Sequence, residues 1–183
     1  MLPTSVFIIE RMKTVSFRND VLPLKNELFR LALRITLNEA EAEDVVQETM
    51  IKVWNRRDDW QHIDSIEAFC LTVCRNLALD KAKKMGNRSE GLEGSGGDPS
   101  DESFSADPER AAVLNDTMAI LRRLMDSLPE KQRSVMHLRD IEGKSYKEIA
   151  VVMGISQEQV KVNLFRARQA IRHKYIQTER YGL

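Results

Sequence analysis

The sequence predicts an all-α protein built from two small helical domains joined by a flexible linker. Apolar residues recur every three to four positions along most of the chain, and no segment alternates with the period of two that marks a strand. The exception is 86–110, rich in Gly, Ser and acidic residues, which buries too little apolar surface to offset its ordering entropy. We therefore predict an N-terminal extension over 1–12, a first domain over 13–85, and a second domain over 111–183.

Three apolar stripes predict three helices in the first domain. Asn38 precedes the second stripe as a predicted N-cap, with Glu41 as its capping partner. Cys70 and Cys74 lie one helical turn apart within the third, where small buried hydrophobes are expected rather than a disulfide or metal pair. In order, the stripes are Leu24, Leu28, Leu31 and Ile35; Ala42, Val45, Val46, Thr49 and Val53; and Ile66, Phe69, Cys70, Val73 and Leu77.

Helical spacing resumes in the second domain and leads into a helix-turn-helix. Pro129 is expected in the first turn of a helix that carries Val135 and Leu138. Ser145 with Glu148, and Ser156 with Gln159, form two predicted capping boxes. Between the two helices that they open, Gly154 supplies a turn in which positive φ is favourable. A short helix, a glycine turn and a longer basic helix make a helix-turn-helix. The resumed stripe is Leu114, Met118, Leu121, Met125 and Leu128.

The longer helix has an inner stripe and an outer face of base-reading residue types. The inner stripe is Val160, Leu164, Ala167 and Ile171. In a helix-turn-helix the second helix lies in the major groove, where Gln pairs with adenine, Glu with cytosine, and Lys or Arg with guanine or phosphate. Phe165 either contacts a thymine methyl group or packs against a neighbouring helix. The outer face comprises Gln157, Glu158, Gln159, Lys161, Val162, Phe165, Arg166 and Arg168.

Charge and composition exclude several classes of function. The 28 basic residues balance the 28 acidic ones, but 111–183 holds thirteen basic residues against eight acidic ones, as expected of a nucleic-acid binder. We find no nucleophile–base pair, phosphate-binding glycine loop or metal-ligand spacing, and expect neither an enzyme nor a cofactor. The first residues do not resemble a signal peptide, and no run reaches membrane-spanning length. We therefore expect a cytoplasmic protein without membrane insertion, starting at either Met1 or Met12.

Motifs in both halves resemble those of the extracytoplasmic-function (ECF) sigma factors of bacterial RNA polymerase. In the first half the matching runs are AEDVVQET at 42–49, Val53-Trp54, and RNLALD at 75–80. In the second half they are LPEKQR at 128–133, YKEIA at 146–150, GIS at 154–156, Val160-Lys161, and Arg166-Ala167-Arg168. Both sets stand in the order of that family, with a linker between them.

The resemblance implies a role for each domain. The second domain, region 4, would bind the −35 promoter element and dock on the polymerase β flap, with Lys144 and Ser145 on the DNA backbone. The acidic helix of the first domain, region 2, would grip the β′ clamp helices through Asp44, Gln47, Glu48 and Trp54, unless this face serves only solubility. The −10 element would be recognised and opened by Trp60, His62, Asp64, Ser65, Arg75, Asn76, Asp80, Lys83 and Lys84.

Several alternatives stay open at the level of sequence. Trp60 either offers a stacking surface for an unpaired base or belongs to the core, and the polar face of the −10 helix could simply be solvated. An anti-sigma factor is a further partner that the sequence neither requires nor excludes, and the protein outside the polymerase is expected to be a monomer. The competing function is a conventional repressor or activator, which would leave 44–54 and 75–84 unexplained.

Overall fold

The structure, a computed structural model, describes residues 15–86 and 118–181, and every regular element in these two ranges is helical. The all-α prediction is confirmed. The predicted N-terminal extension, Leu114 and all of the predicted linker except Gly86 lie outside the described residues. The main helices are α1 (Lys25–Thr36), α2 (Glu39–Asn55), α3 (Ile66–Gly86), α4 (118–126), α5 (Glu130–Met136), α6 (Tyr146–Met153) and α7 (Gln157–Tyr181).

Helices α1, α2 and α3 form a three-helix bundle in which each packs against the other two. The predicted stripes face its interior: all five residues of the second stripe are buried, and so are Leu28, Leu31 and Ile35 of the first. Both cysteines are free thiols in this core, and the Cys74 thiol donates to the Leu28 carbonyl oxygen at 3.3 Å. The interpretation of the cysteines as small buried hydrophobes is confirmed.

The junction between α1 and α2 follows local capping rules only in part. The Asn38 side chain accepts a hydrogen bond from the Glu41 backbone N–H at 3.0 Å, as expected of an N-cap. The Glu41 carboxylate does not return the contact, because it pairs at 2.8 Å with Lys81 of α3. Leu37 takes the left-handed conformation at φ 54°, which ends α1 and lets the chain reverse.

The C-terminal helices pack around α7, which contacts both α5 and α6. Pro129 is the N-cap of α5 rather than a residue of its first turn, so the prediction was one residue out. Its ψ of 141° is extended, and its carbonyl oxygen accepts the Arg133 N–H at 3.0 Å. Because proline has no N–H to leave unsatisfied, its backbone suits either position. After α5 the chain continues through a π-helical turn over His137–Ile141.

The two halves of the chain are in contact. Helix α3 packs against α6, and α1 packs against α5. One buried apolar cluster contains residues from both halves, among them Leu31 and Leu71 from the first and Leu138 and Ile149 from the second. Of the helices that the structure describes, none is long and apolar enough to cross a membrane.

Candidate nucleic-acid interface

Helices α6 and α7 and the turn between them form the predicted helix-turn-helix. The Ser145 hydroxyl accepts from the Glu148 N–H while the Glu148 carboxylate accepts from the Ser145 N–H, and this capping box lowers the pKa of Glu148. Ser156 and Gln159 make the same reciprocal pair at the start of α7, at 3.2 and 3.0 Å. Gly154 has φ 63°, which allows the sharp turn. Both predicted capping boxes and the glycine turn are confirmed.

Helix α7 buries one face and exposes the other. Val160, Leu164, Ala167 and Ile171 of the inner stripe are all buried, which fixes the rotation of the helix about its axis. All eight residues predicted to face DNA are exposed. Phe165 is 64% exposed. The described residues therefore leave most of its ring uncovered, and no support for packing against a neighbouring helix is found among them.

Arg168 and Gln159 of the outer face already have polar partners within the protein. The Arg168 guanidinium donates to the Asp140 carboxylate at 2.5 Å, and that hydrogen bond raises the pKa of Arg168. The Gln159 side-chain amide oxygen Oε1 accepts the Ser156 backbone N–H at 3.0 Å, as part of the cap of α7. Arg168 is thus oriented by Asp140 and suits a phosphate contact, whereas Lys161 and Arg166 project from the exposed face as candidates for base contacts.

The two residues predicted to touch the DNA backbone before α6 differ in exposure. Ser145 is exposed and takes part in the cap. Lys144 is only partly exposed, because its ammonium group pairs with the Glu27 carboxylate at 2.8 Å and with the Glu67 carboxylate. Burial alone would lower the pKa of Lys144, but the hydrogen bonds that its ammonium group donates to the Glu27 and Glu67 carboxylates outweigh burial and raise the pKa. Lys144 is therefore held by the first half of the chain.

The segment before α3 divides into a buried aromatic residue and an exposed polar run. Trp60 is 6% exposed; its ring stacks on Phe17 at 6.4 Å and its Nε1–H donates to the Val53 carbonyl oxygen at 3.2 Å. Of the two roles left open for Trp60, this arrangement corresponds to the core residue. His62, Asp64 and Ser65 are exposed, and the Ser65 hydroxyl also accepts from the Ala68 N–H at 3.2 Å.

Helix α3 presents a polar face beside its buried stripe. Asn76, Asp80, Lys83 and Lys84 are all exposed along it, so the structure leaves this predicted face accessible. Arg75 is different: it is buried, and its guanidinium donates to the Glu130 carboxylate of α5 at 3.1 and 3.3 Å. Arg75 cannot contact DNA in this arrangement of the two halves.

The outer face of α2 combines acidic and apolar side chains. Asp44, Gln47 and Trp54 are exposed and Glu48 is partly so; Asp44 pairs with Lys81 at 3.3 Å, and Glu48 with Lys52 at 3.1 Å. Ile51, at 60% exposure, lies among them and was missed from the sequence. The signal was available, because Ile51 stands on the side of the helix opposite the buried stripe, and an exposed apolar patch often marks an interface.

Across 15–86 and 118–181, no three His, Cys, Asp or Glu side chains are grouped so as to hold a metal ion. Burial raises the pKa of the Cys70 and Cys74 thiols to about 12, which makes them poor nucleophiles.

Two family models match the chain in the order of its two halves. Sigma-70 region 2 matches residues 21–88, and Sigma-70, region 4 matches residues 118–171. The ECF RNA polymerase sigma factor SigE of Mycolicibacterium smegmatis is 33% identical over 150 residues, which cover 80% of this chain and only 56% of SigE. The ECF RNA polymerase sigma-E factor of Salmonella typhimurium is 31% identical over 144 residues, covering 73% of each chain.

A solved structure has the same fold. The sigma factor RpoE of Bartonella quintana, in complex with the anti-sigma factor NepR, matches with a TM-score of 0.69 over 86% of this chain and 94% of RpoE. The identity is 22%, so this likeness concerns the arrangement of the helices.

Proposed function

The chain belongs to the ECF RNA polymerase sigma factors, which direct promoter-specific transcription initiation, and we propose that α7 reads the −35 element while α3 recognises and opens the −10 element. The observation that supports this most directly is the outer face of α7. Eight polar, basic or apolar side chains are exposed along it, on a helix whose rotation is fixed by a buried inner stripe.

The proposed −35 contacts follow from the chemistry of that face. The N-terminal residues Gln157 and Glu158 lie where the second helix of a helix-turn-helix meets base edges. Lys161 and Arg166 can donate to guanine, and Phe165 can contact a thymine methyl group. Arg168 and Ser145, at the rim, are proposed to bind phosphate, which positions the domain without reading sequence.

The proposed −10 contacts use the exposed polar face of α3 and the run before it. Asn76 offers both donor and acceptor groups to an unpaired base, and Lys83 and Lys84 suit the strand backbone. Unstacking a base costs a few kcal/mol, so side chains that hold an extruded base shift the duplex towards opening. His62 and Ser65 are exposed at the start of this face and complete the proposed surface.

The acidic face of α2 is proposed to dock on the polymerase clamp. Asp44, Gln47 and Glu48 would repel DNA phosphate, so a basic protein surface is the better partner. Ile51 and Trp54 add apolar area to the same face, 60% and 46% exposed. We place the protein in the cytoplasm, where RNA polymerase acts. An anti-sigma factor as a further partner has a precedent in the complex of RpoE with NepR.

The decisive experiment is transcription in vitro from a promoter library, using core RNA polymerase with and without this protein. We expect transcripts that appear only when this protein is present and that start downstream of a shared motif made of a −35 and a −10 element. A conventional repressor or activator would instead give no such transcripts and would bind duplex DNA tightly without polymerase.

Two substitutions separate base reading from phosphate binding on α7. Lys161→Ala or Arg166→Ala should weaken promoter binding by about 1–3 kcal/mol and relax sequence preference if the side chain reads a base. If it touches only phosphate, the loss should be uniform across sequences and depend strongly on salt. Arg123→Ala, an exposed arginine on α4 outside the helix-turn-helix, is the matched control. If both α7 variants bound the promoter as tightly as the wild type, these side chains of α7 would not contact DNA.

A further inference from the structure

A cavity lies between helix α1 and the first helices of the second half. Its volume is about 340 Å³, at the lower end of the range of about 300–1,000 Å³ that is typical of small-molecule sites. Residues of α1, of α4 and of the π-helical turn after α5 line it. None of the described residues in its wall is a proposed contact for DNA or polymerase. The cavity is therefore separate from the surfaces assigned above.

Much of the cavity wall is apolar. Leu33 and Met125 are buried, whereas Met118 and Ile141 are exposed, so one part of the wall is dry and another part meets water. Methionine side chains are flexible and adapt to ligands of different shape. The wall therefore suits the apolar body of a small molecule. Its apolar residues are Phe29, Leu33, Met118, Leu121, Met125 and Ile141.

The polar part of the wall is rich in arginine. Arg30, Arg34 and Arg122 line the cavity, and none of its described wall residues is acidic. Arg34 already binds one carboxylate, because its Nη1 donates to Asp126 at 2.7 Å. A guanidinium carries five N–H donors, so this bond leaves donors for a second carboxylate. The cavity thus combines an apolar wall with groups that donate to anions.

A buried histidine adds a polar atom that no described residue satisfies. His137 is 2% exposed and belongs to the cavity wall. Its Nε2 lies 3.1 Å from the Glu142 carboxylate, whereas its Nδ1 makes no hydrogen bond with the described residues. Buried polar atoms without a partner are rare in folded proteins. Such an atom in a cavity wall favours a binding site over a simple gap in the packing.

We propose that this cavity binds a small amphipathic carboxylate, with its head group on Arg34 and its apolar body between α1 and α4. Hydrogen bonds between a guanidinium and a carboxylate are charge-assisted and stronger than neutral ones. The apolar body is buried against residues such as Phe29, Leu33 and Met125. A cationic ligand of the same size would instead meet the three arginines and is rejected by like charge.

The ligand chemistry can be tested with decanoate, titrated into the full chain by isothermal titration calorimetry below the concentration at which it forms micelles. The wild type should bind one decanoate per chain in a saturable manner. Propionate keeps the carboxylate but lacks the long tail, and decyltrimethylammonium keeps the tail but reverses the charge. Each should bind at least about tenfold more weakly than decanoate. Equal affinity for decanoate and decyltrimethylammonium would refute the carboxylate chemistry.

The site itself can be tested with two substitutions in its wall. Arg34→Gln removes the charge at the proposed head group and should weaken decanoate binding at least about tenfold. Met118→Trp places a larger side chain in the exposed part of the wall and should also weaken binding; it keeps the test available if circular dichroism shows that Arg34→Gln does not fold. Arg123→Gln, an exposed arginine of α4 outside the cavity, is the matched control and should bind like the wild type.

Two results would overturn the proposal. One is the absence of saturable decanoate binding by the wild type. The other is undiminished binding by both Arg34→Gln and Met118→Trp, which would mean that decanoate adsorbs elsewhere on the protein.

Discussion

Two neighbouring residues on α7 offer the sharpest test of which face of this helix meets DNA. Leu164 is 2% exposed and Phe165 is 64% exposed, although they are adjacent in sequence. Substituting each by Ala should therefore have opposite consequences. Leu164→Ala should destabilise the protein, whereas Phe165→Ala should leave the fold intact and weaken binding to the promoter.

The magnitudes follow from burial. Removing a buried leucine leaves a cavity and costs about 3–5 kcal/mol. Complete burial of a phenylalanine is worth about 1.5–3 kcal/mol; since nearly two thirds of Phe165 is already in water, its truncation should cost less than about 1 kcal/mol of folding free energy. Loss of a contact with a thymine methyl group should cost about 1–2 kcal/mol of binding, or about a five- to thirtyfold weaker affinity.

Urea denaturation followed by circular dichroism measures the first effect, and fluorescence anisotropy with a promoter duplex at fixed salt measures the second. Phe165→Tyr, which keeps the ring, serves as a control for general disturbance of the helix. A loss of stability in Phe165→Ala similar to that in Leu164→Ala would show that Phe165 packs against protein. Unchanged promoter affinity of Phe165→Ala would refute its contact with a base.

The remaining predictions concern the stability of the fold and the reactivity of its two thiols. Gly154→Ala should lower the free energy of unfolding, measured by urea denaturation, by about 1–2 kcal/mol. The added Cβ meets no atom within 4 Å, so the loss comes only from placing a non-glycine residue in the left-handed conformation. Gly154→Asn should lose less stability than Gly154→Ala, and equal losses in the two variants would contradict this explanation. Burial lowers the pKa of His137 below 6.5, so stability should begin to fall below pH 6.5, where the unfolded state takes up a proton that the folded state refuses. Burial alone would raise the pKa of Glu142, but the contacts with Arg30 and His137 outweigh burial and lower the pKa from 4.5 to about 2. As the pH falls from 4.5 to about 2, the free energy of unfolding should therefore drop by about a further 1–2 kcal/mol, a figure that allows for solvent screening of the exposed arginine. Arg30→Ala should make this drop smaller when denaturation is measured as a function of pH. The two buried cysteine thiols, with a pKa of about 12, should react with a thiol reagent only after unfolding, and labelling of the native protein at the rate of an exposed cysteine would count against their burial.

Much of the helix-turn-helix could be predicted from the sequence because its determinants are local. Each capping box joins residues three positions apart, and the turn needs one residue that tolerates positive φ. The apolar spacing of α7 separates Leu164 from Phe165 without knowledge of what either contacts. These patterns depend only on residues within the same helix or at its end.

The same local reasoning left a question open at Trp60 and was wrong at Glu41, because the partners of both residues lie far along the chain. Trp60 could be a stacking surface or a core residue from sequence alone, and the tertiary structure decides this by placing Phe17 beside it. Glu41 was expected to cap its own helix, but the packing of α3 against α2 brings Lys81 within 2.8 Å of it. A charge nearby in space replaced a backbone group nearby in sequence.

The sequence by itself determined the helices, the two capping boxes of the helix-turn-helix, the buried and exposed faces of α7, and the order of motifs that identifies the family. Only the tertiary structure decided that Arg75 pairs with Glu130, 55 positions away, and that Lys144 pairs with Glu67, 77 positions away. The physical reason is the separation along the chain between the residues that interact. Helix periodicity and capping depend on neighbours within one or two turns, whereas an ion pair forms only where packing brings two side chains within about 4 Å. Whether a basic residue faces DNA or a carboxylate of its own chain is therefore a property of how the two halves meet.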